Sequence, residues 1–148
     1  AKRAQEYIDK YFEAYSNVKE YMNLNVQTAA KDGYVTTLLG RKRVINEIKS
    51  TNHNLRAFGE RAAMNMPLQG SSADIIKISM INTAKKLKEG GYKAKLVLQV
   101  HDELVIDCPI EESERVQMLL KTEMENAVRL SIPLTVEVGV GENWYECK

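Results

Sequence analysis

Two apolar, β-branched tracts, Lys95 to Val100 and Leu104 to Cys108, are separated only by His101-Asp102-Glu103. So short a polar interruption leaves little option but strand, tight turn, strand. The rest of the chain must then supply surfaces that bury this hairpin. From Ala4 through Tyr7, Ile8, Tyr11, Tyr15, Val18 and Met22 the apolar residues step by three and four, which predicts one long amphipathic helix closed at Asp32-Gly33, with Gly33 as its C-cap. The Tyr-rich stripe reads as a packing face rather than as a platform for stacking bases. Tyr34–Leu39 and Val44–Ile48 flank Gly40-Arg41-Lys42-Arg43, a second hairpin with a basic tip.

A second helix is expected from Leu55 to about Met66, capped by Asn52 or Asn54 and ended or kinked by Pro67. Ser71-Ser72-Ala73-Asp74 resembles a capping box for a third, which runs to Gly90-Gly91 with Ala73, Ile76, Met80, Ala84 and Leu87 on one side. Pro109 and the acidic run Glu111–Glu114 open a fourth, with a buried stripe of Val116, Leu119, Leu120, Met124 and Ala127. Leu134–Val140 alternates cleanly and predicts a last strand. The expected fold class is α+β: helices packed on a small antiparallel sheet, with a β-β-α-β C-terminal half.

At 148 residues, 44% hydrophobic and 28% charged, the chain suits one soluble domain and excludes disordered, collagenous and disulfide-framework classes. No apolar run approaches the ~20 residues of a membrane helix. Cys108 and Cys147 lack metal-ligand or redox spacing, so a reducing cytoplasmic setting is the expectation. The chain does not begin with Met and a helix is already under way at residue 1, which points to a piece of a longer protein. Net charge is +1 but uneven: +4 over residues 31–61, +4 over 62–100 and −7 over 101–148. A basic middle followed by an acidic end suits a phosphate-facing surface beside a cation-binding or simply solvated one.

Three constellations bear on chemistry. His101-Asp102-Glu103 is a poor choice for a tight turn, which favours Gly or Asn because of its positive φ, and neighbouring carboxylates repel unless solvated or shared by a cation. Oxygen donors at a rigid strand end suit a hard ion such as Mg²⁺, and a solvated polar turn is the competing reading. No second carboxylate cluster stands out: Asp74 reads as a helix cap and Glu60 as surface. Arg61, Asn65 and Gln69 lie at i, i+4, i+8, within about 80° of one another on a helix. Such a donor row matches the acceptors that every base pair shows in the minor groove, or is an ordinary polar helix face. Arg41, Lys42, Arg43, Lys49 and Arg56 either touch phosphates or form a solvated basic turn. Trp144 and Tyr145 are expected to pin the C-terminus to the domain.

The stretch from Arg56 to Ile78, with Glu60-Arg61-Ala62-Ala63-Met64-Asn65-Met66-Pro67-Leu68-Gln69-Gly70-Ser71, together with Leu98-Gln99-Val100-His101-Asp102-Glu103-Leu104-Val105, closely resembles family A DNA polymerases, those of the bacterial DNA polymerase I type. The likeness extends to Gly33–Leu38 and Val138–Trp144, essentially the whole chain. It implies that Asp102 is the palm aspartate binding a catalytic Mg²⁺ pair, that Glu103 is the supporting carboxylate, and that His101 lies against the primer terminus. It further implies that Arg61, Asn65 and Gln69 contact the DNA minor groove. Residues 1–70 would then be the helix, basic hairpin and DNA-contacting helix of the fingers/palm junction, and 71–148 the palm part with the His-Asp-Glu hairpin, in one compact fragment.

The family's other essential aspartate and its basic fingers helix are not found in these residues, so they are expected upstream of Ala1. The resemblance therefore implies the C-terminal part of a bacterial, cytosolic or nucleoid DNA-directed DNA polymerase. Its partners would be primer-template DNA, deoxynucleoside triphosphates and the upstream polymerase chain, and the piece would be inactive alone. The alternative function is a non-catalytic duplex DNA-binding module, and a metal-dependent nuclease using His101, Asp102 and Glu103 ranks below both.

Overall fold

The computed structural model describes residues 2–147. The expectation of a helix at Ala1 lies outside them. The chain divides into two compact units, Ala1–Ser71 and Ser72–Lys148. Helices and two separate two-stranded antiparallel sheets make up both, so the α+β class holds.

The first unit opens with α1 (Lys2–Ala14) and α2 (Ser16–Asp32). These replace the single expected helix because Tyr15 leaves helical geometry at φ −122° and ψ 57°. Ser16-Asn17, poor helix-interior residues, follow directly. Gly33 caps α2 in the left-handed region at φ 83°, its N–H on the Ala29 carbonyl. The Tyr7, Ile8, Tyr11, Tyr15 and Val18 stripe is exposed, which corrects the expected packing face. The core lies further on, where Ala29 of α2, Val35, Ile45 and Ile48 close over Ala63 and Met66.

Strands β1 (Tyr34–Thr36) and β2 (Lys42–Val44) pair Tyr34 with Val44 and Thr36 with Lys42. Lys42 and Arg43 therefore stand in a strand, and residues 37–41 form the turn, with Gly40 at φ 84°. Ile45–Ile48 is not strand. A 3₁₀ turn, Asn46–Lys49, carries buried Ile48 towards α3.

The largest departure is α3, which runs unbroken from His53 to Glu89 through Pro67. Asn52 Oδ1 caps its start by accepting the N–H groups of Asn54 (2.9 Å) and Leu55 (3.3 Å). Pro67 has no N–H for the carbonyl one turn back, which normally ends or kinks a helix. Here the surroundings hold the turn. The Ser71 hydroxyl donates to the Pro67 carbonyl, the Leu38 N–H donates to that same hydroxyl (2.8 Å), and Arg41 Nη2 donates to the Gly70 carbonyl (3.0 Å). Ser71–Asp74 is consequently helix interior, not a cap. Gly70 is required by close approach, since a Cβ there would stand 2.6 Å from the Thr37 methyl.

In the second unit α3 ends in a Schellman motif. Gly91 at φ 66° donates to the Lys88 carbonyl (3.2 Å), and Tyr92 N–H reaches back to the Leu87 carbonyl (3.1 Å). Tyr92 and Leu87 then share a core with Ala94, Ile106, Val116 and Leu119. Strands β3 (Lys95–Val100) and β4 (Glu103–Asp107) pair from Lys95–Asp107 to Val100–Glu103, with a bulge between Leu96 and Leu98. A 3₁₀ turn, Ile110–Glu112, leads into α4 (Ser113–Glu125), which leaves Ala127 outside the helix. Glu112 accepts the backbone N–H of Lys93 with both oxygens (3.1 and 3.0 Å) and that of Ala94 (3.1 Å), tying this turn to the entry of β3. The expected strand at 134–140 is not formed. Its exposure alternates as the sequence pattern requires, but it belongs to no ladder among the described residues.

Candidate functional site

The β3–β4 hairpin closes with two residues, His101 and Asp102. His101 is the one non-glycine with positive φ among the described residues, at 53°, a conformation that costs a side chain about 1 kcal/mol. The Gln99 amide donates to the His101 carbonyl at 2.6 Å and braces the turn. Asp102 is exposed, and no hydrogen bond or ion pair engages its carboxylate among the described residues. Glu103 is not part of the turn. It is the first residue of β4, paired with Val100, and its Oε2 accepts the indole N–H of Trp144 at 3.2 Å.

Asp102, in the turn, and Glu103, at the first rung of the ladder, are hard oxygen donors, which suits Mg²⁺, an ion bound through one or two carboxylates plus phosphates and water. No cluster of three or more His, Cys, Asp or Glu side chains that could hold a metal occurs among the described residues. The donor set therefore fits an ion shared with substrate and other groups, not a closed protein cage.

On α3 of the first unit, Arg61, Asn65 and Gln69 are all exposed, while Ala63, Met66, Pro67 and Gly70 of the same turns are buried. Because the helix continues through Pro67, the row is continuous and about 12 Å long. Glu60 is half-buried on this helix, and Asp74, also half-buried, is an interior helix residue in the second unit.

The basic residues of the first hairpin are partly committed to the fold. Arg41 holds the Gly70 carbonyl, Lys42 Nζ sits 4.3 Å from the Tyr34 ring centroid, and Arg56 Nη1 donates to the Ser50 carbonyl (3.3 Å). Both cysteines are unpaired. Burial, then the nearby Glu112, Asp107 and Glu111 carboxylates, push the Cys108 thiol up, so it stays protonated and unreactive at neutral pH.

Trp144 (39% exposed) meets the hairpin through its indole N–H, while Tyr145 is 89% exposed, so Tyr145 does not pin the C-terminus. The Trp144–Glu103 bond spans 41 positions and no local pattern announces it. No described helix is long and apolar enough to cross a membrane.

The sequence model of DNA polymerase family A matches residues 1–146. The chain belongs to that family. It is 56% identical to the DNA polymerase I of Caldicellulosiruptor bescii and 51% identical to that of Bacillus subtilis, each over 147 residues. In both cases the match covers 99% of this chain but 17% of the relative, so the chain spans about a sixth of their length. Among solved structures it is similar to the polymerase domain of Pol1 from M. smegmatis, determined in complex with DNA primer-template and dNTP. The TM-score is 0.96 at 40% identity, covering 99% of this chain and 26% of that one. This family A chain thus shares the fold of about a quarter of that domain.

Proposed function

We propose that this chain is part of the polymerase domain of a DNA-directed DNA polymerase that extends a primer on a DNA template with deoxynucleoside triphosphates. The observation that carries the reading is the Asp102 carboxylate, unengaged on a braced two-residue turn, in a chain of family A. Two bound Mg²⁺ ions would lower the pKa of the primer 3′-hydroxyl and neutralise charge at the transferred phosphoryl group and departing pyrophosphate. Asp102 would be one of the residues that hold the ions, with Glu103 beside it in a supporting role. His101, beside them at the turn, would face the primer terminus. Arg61, Asn65 and Gln69 would donate to the purine N3 and pyrimidine O2 acceptors shared by all base pairs, gripping the duplex without reading its sequence.

The second carboxylate and the triphosphate-binding groups would come from the remainder of the polymerase. The 148-residue chain alone is therefore expected to show no template-directed incorporation.

The test is Asp102→Ala in the complete polymerase. Loss of metal stabilisation, worth several kcal/mol, should lower the extension rate about 10³-fold with primer-template affinity retained. A rate within a few-fold of the parent would overturn the metal assignment and leave duplex binding as the better account. Arg61→Ala should weaken primer-template binding and extension by about 1–3 kcal/mol, read from titration and single-turnover rates. Unchanged values would return Arg61 to a solvated helix face.

A further inference from the structure

We propose that Trp144 is a positioning residue for the His-Asp-Glu hairpin, its indole N–H fixing the Glu103 carboxylate in one orientation beside Asp102. The proposal rests on the reading of Asp102 and Glu103 given above and adds a residue to it. Glu103 lies exposed at the start of β4, where a flexible carboxylate would sample several rotamers. The indole donor, at 3.2 Å, holds one of its oxygens. No other protein group donates to that carboxylate among the described residues. Groups that orient ligating carboxylates from behind commonly matter nearly as much as the ligands.

The segment that presents Trp144 is built for a fixed shape. Residues 144–147 form a 3₁₀ turn folded back on the preceding chain. Glu146 receives the Glu142 N–H (3.0 Å) and the Asn143 side-chain amide (2.7 Å), and its own N–H donates to the Asn143 carbonyl (3.1 Å). Two glycines make the fold-back possible. A Cβ at Gly139 would run into the Cys147 carbonyl, and one at Gly141 would stand 2.6 Å from the Glu146 Cβ. A clasp closed this tightly over ten residues does little for the hydrophobic core, since none of the 3₁₀ turn is buried. From it the Trp144 indole reaches 41 positions back to Glu103.

The contact and its consequence are tested separately in the complete polymerase. With ¹⁵N-labelled indoles, the resonance missing from Trp144→Phe identifies Trp144, and this resonance should move in Glu103→Ala without any metal present. An unmoved resonance overturns the proposal. For the consequence, Trp144→Phe keeps the ring and removes the donor. It should lower extension about tenfold when Glu103 is present and less than about twofold in a Glu103→Ala background. An equal loss in both backgrounds would mean a purely structural role and overturn the proposal, as would no loss at all. Tyr145→Phe, one residue away, should leave the rate unchanged. Failure of the underlying reading looks different: Asp102→Ala would retain extension whatever Trp144 does.

Discussion

The two hairpins of this chain solve the same problem in opposite ways. Between β1 and β2 the turn takes its positive φ from Gly40, and its polar groups are used within the fold. Thr37 and Arg41 bond each other twice, once through the backbone and once through a side chain (Thr37 N–H to the Arg41 carbonyl, 2.9 Å; Arg41 N–H to the Thr37 hydroxyl, 3.0 Å). The whole turn is clamped to α3 at Gly70 and Ser71. Between β3 and β4 the positive φ falls on His101, a carboxylate follows it unengaged, and bracing comes from Gln99 beneath the turn and Trp144 beside it. Where local turn chemistry is obeyed, the turn serves the fold. Where it is broken at a cost, the turn leaves a carboxylate unengaged by the fold, as the proposed role of Asp102 requires.

The largest expected stability effect that would break this contrast is at Gly70. Gly70→Ala pushes a Cβ against the buried Thr37 side chain and disturbs the Arg41 and Ser71 bonds, so unfolding should become easier by about 1–3 kcal/mol. Denaturant titration of the chain reads this directly. An unchanged midpoint would show that the first hairpin does not depend on its clamp.

Smaller, and opposite in sign, are the two turn substitutions. Gly40→Ala meets no neighbour within 4 Å, so its cost is the backbone alone, about 1 kcal/mol. His101→Gly removes the corresponding strain and should leave stability equal or raise it by less than about 1 kcal/mol, while lowering extension by the complete polymerase. If both turn positions proved equally intolerant of exchange, His101 would be an ordinary turn residue and the contrast would collapse.

This contrast also explains what the sequence made legible. The helix stops at Gly33 and Gly90-Gly91 and the Asn52 cap depend on residues within five positions of one another and were readable, and both hairpins, local over about a dozen residues, were readable as hairpins though not in every strand bound. Pro67 was not, because the groups that keep α3 continuous through it include Leu38 and Arg41, about thirty residues away. The 134–140 segment carries a strand pattern, but a strand exists only with a partner, and period-2 alternation says nothing of one. At the candidate site, residue types and spacing raised the metal and minor-groove readings beside solvated alternatives, and the resemblance to family A is what favoured the former. The Trp144–Glu103 bond could not be read, since it joins positions 41 apart.

The smallest effect concerns how the second hairpin is anchored at its far end. Glu112 is held below the usual glutamate range, first by the Lys93 N–H, then by the Ala94 N–H and the charges of Arg115 and Lys93, with burial opposing them. A carboxyl whose folded value is depressed adds stability that is complete above its unfolded value and lost as pH falls through the folded one. The Lys93–Ala94 anchor should therefore be intact at neutral pH and lost in acid, as pH falls through that depressed value. Glu112→Gln keeps one acceptor but not the charge. Its melting temperature should lie slightly below the parent's from about pH 6 to 8, and the two should converge as the parent's carboxylate protonates. A gap that persisted in acid would mean that shape, not charge, anchors β3.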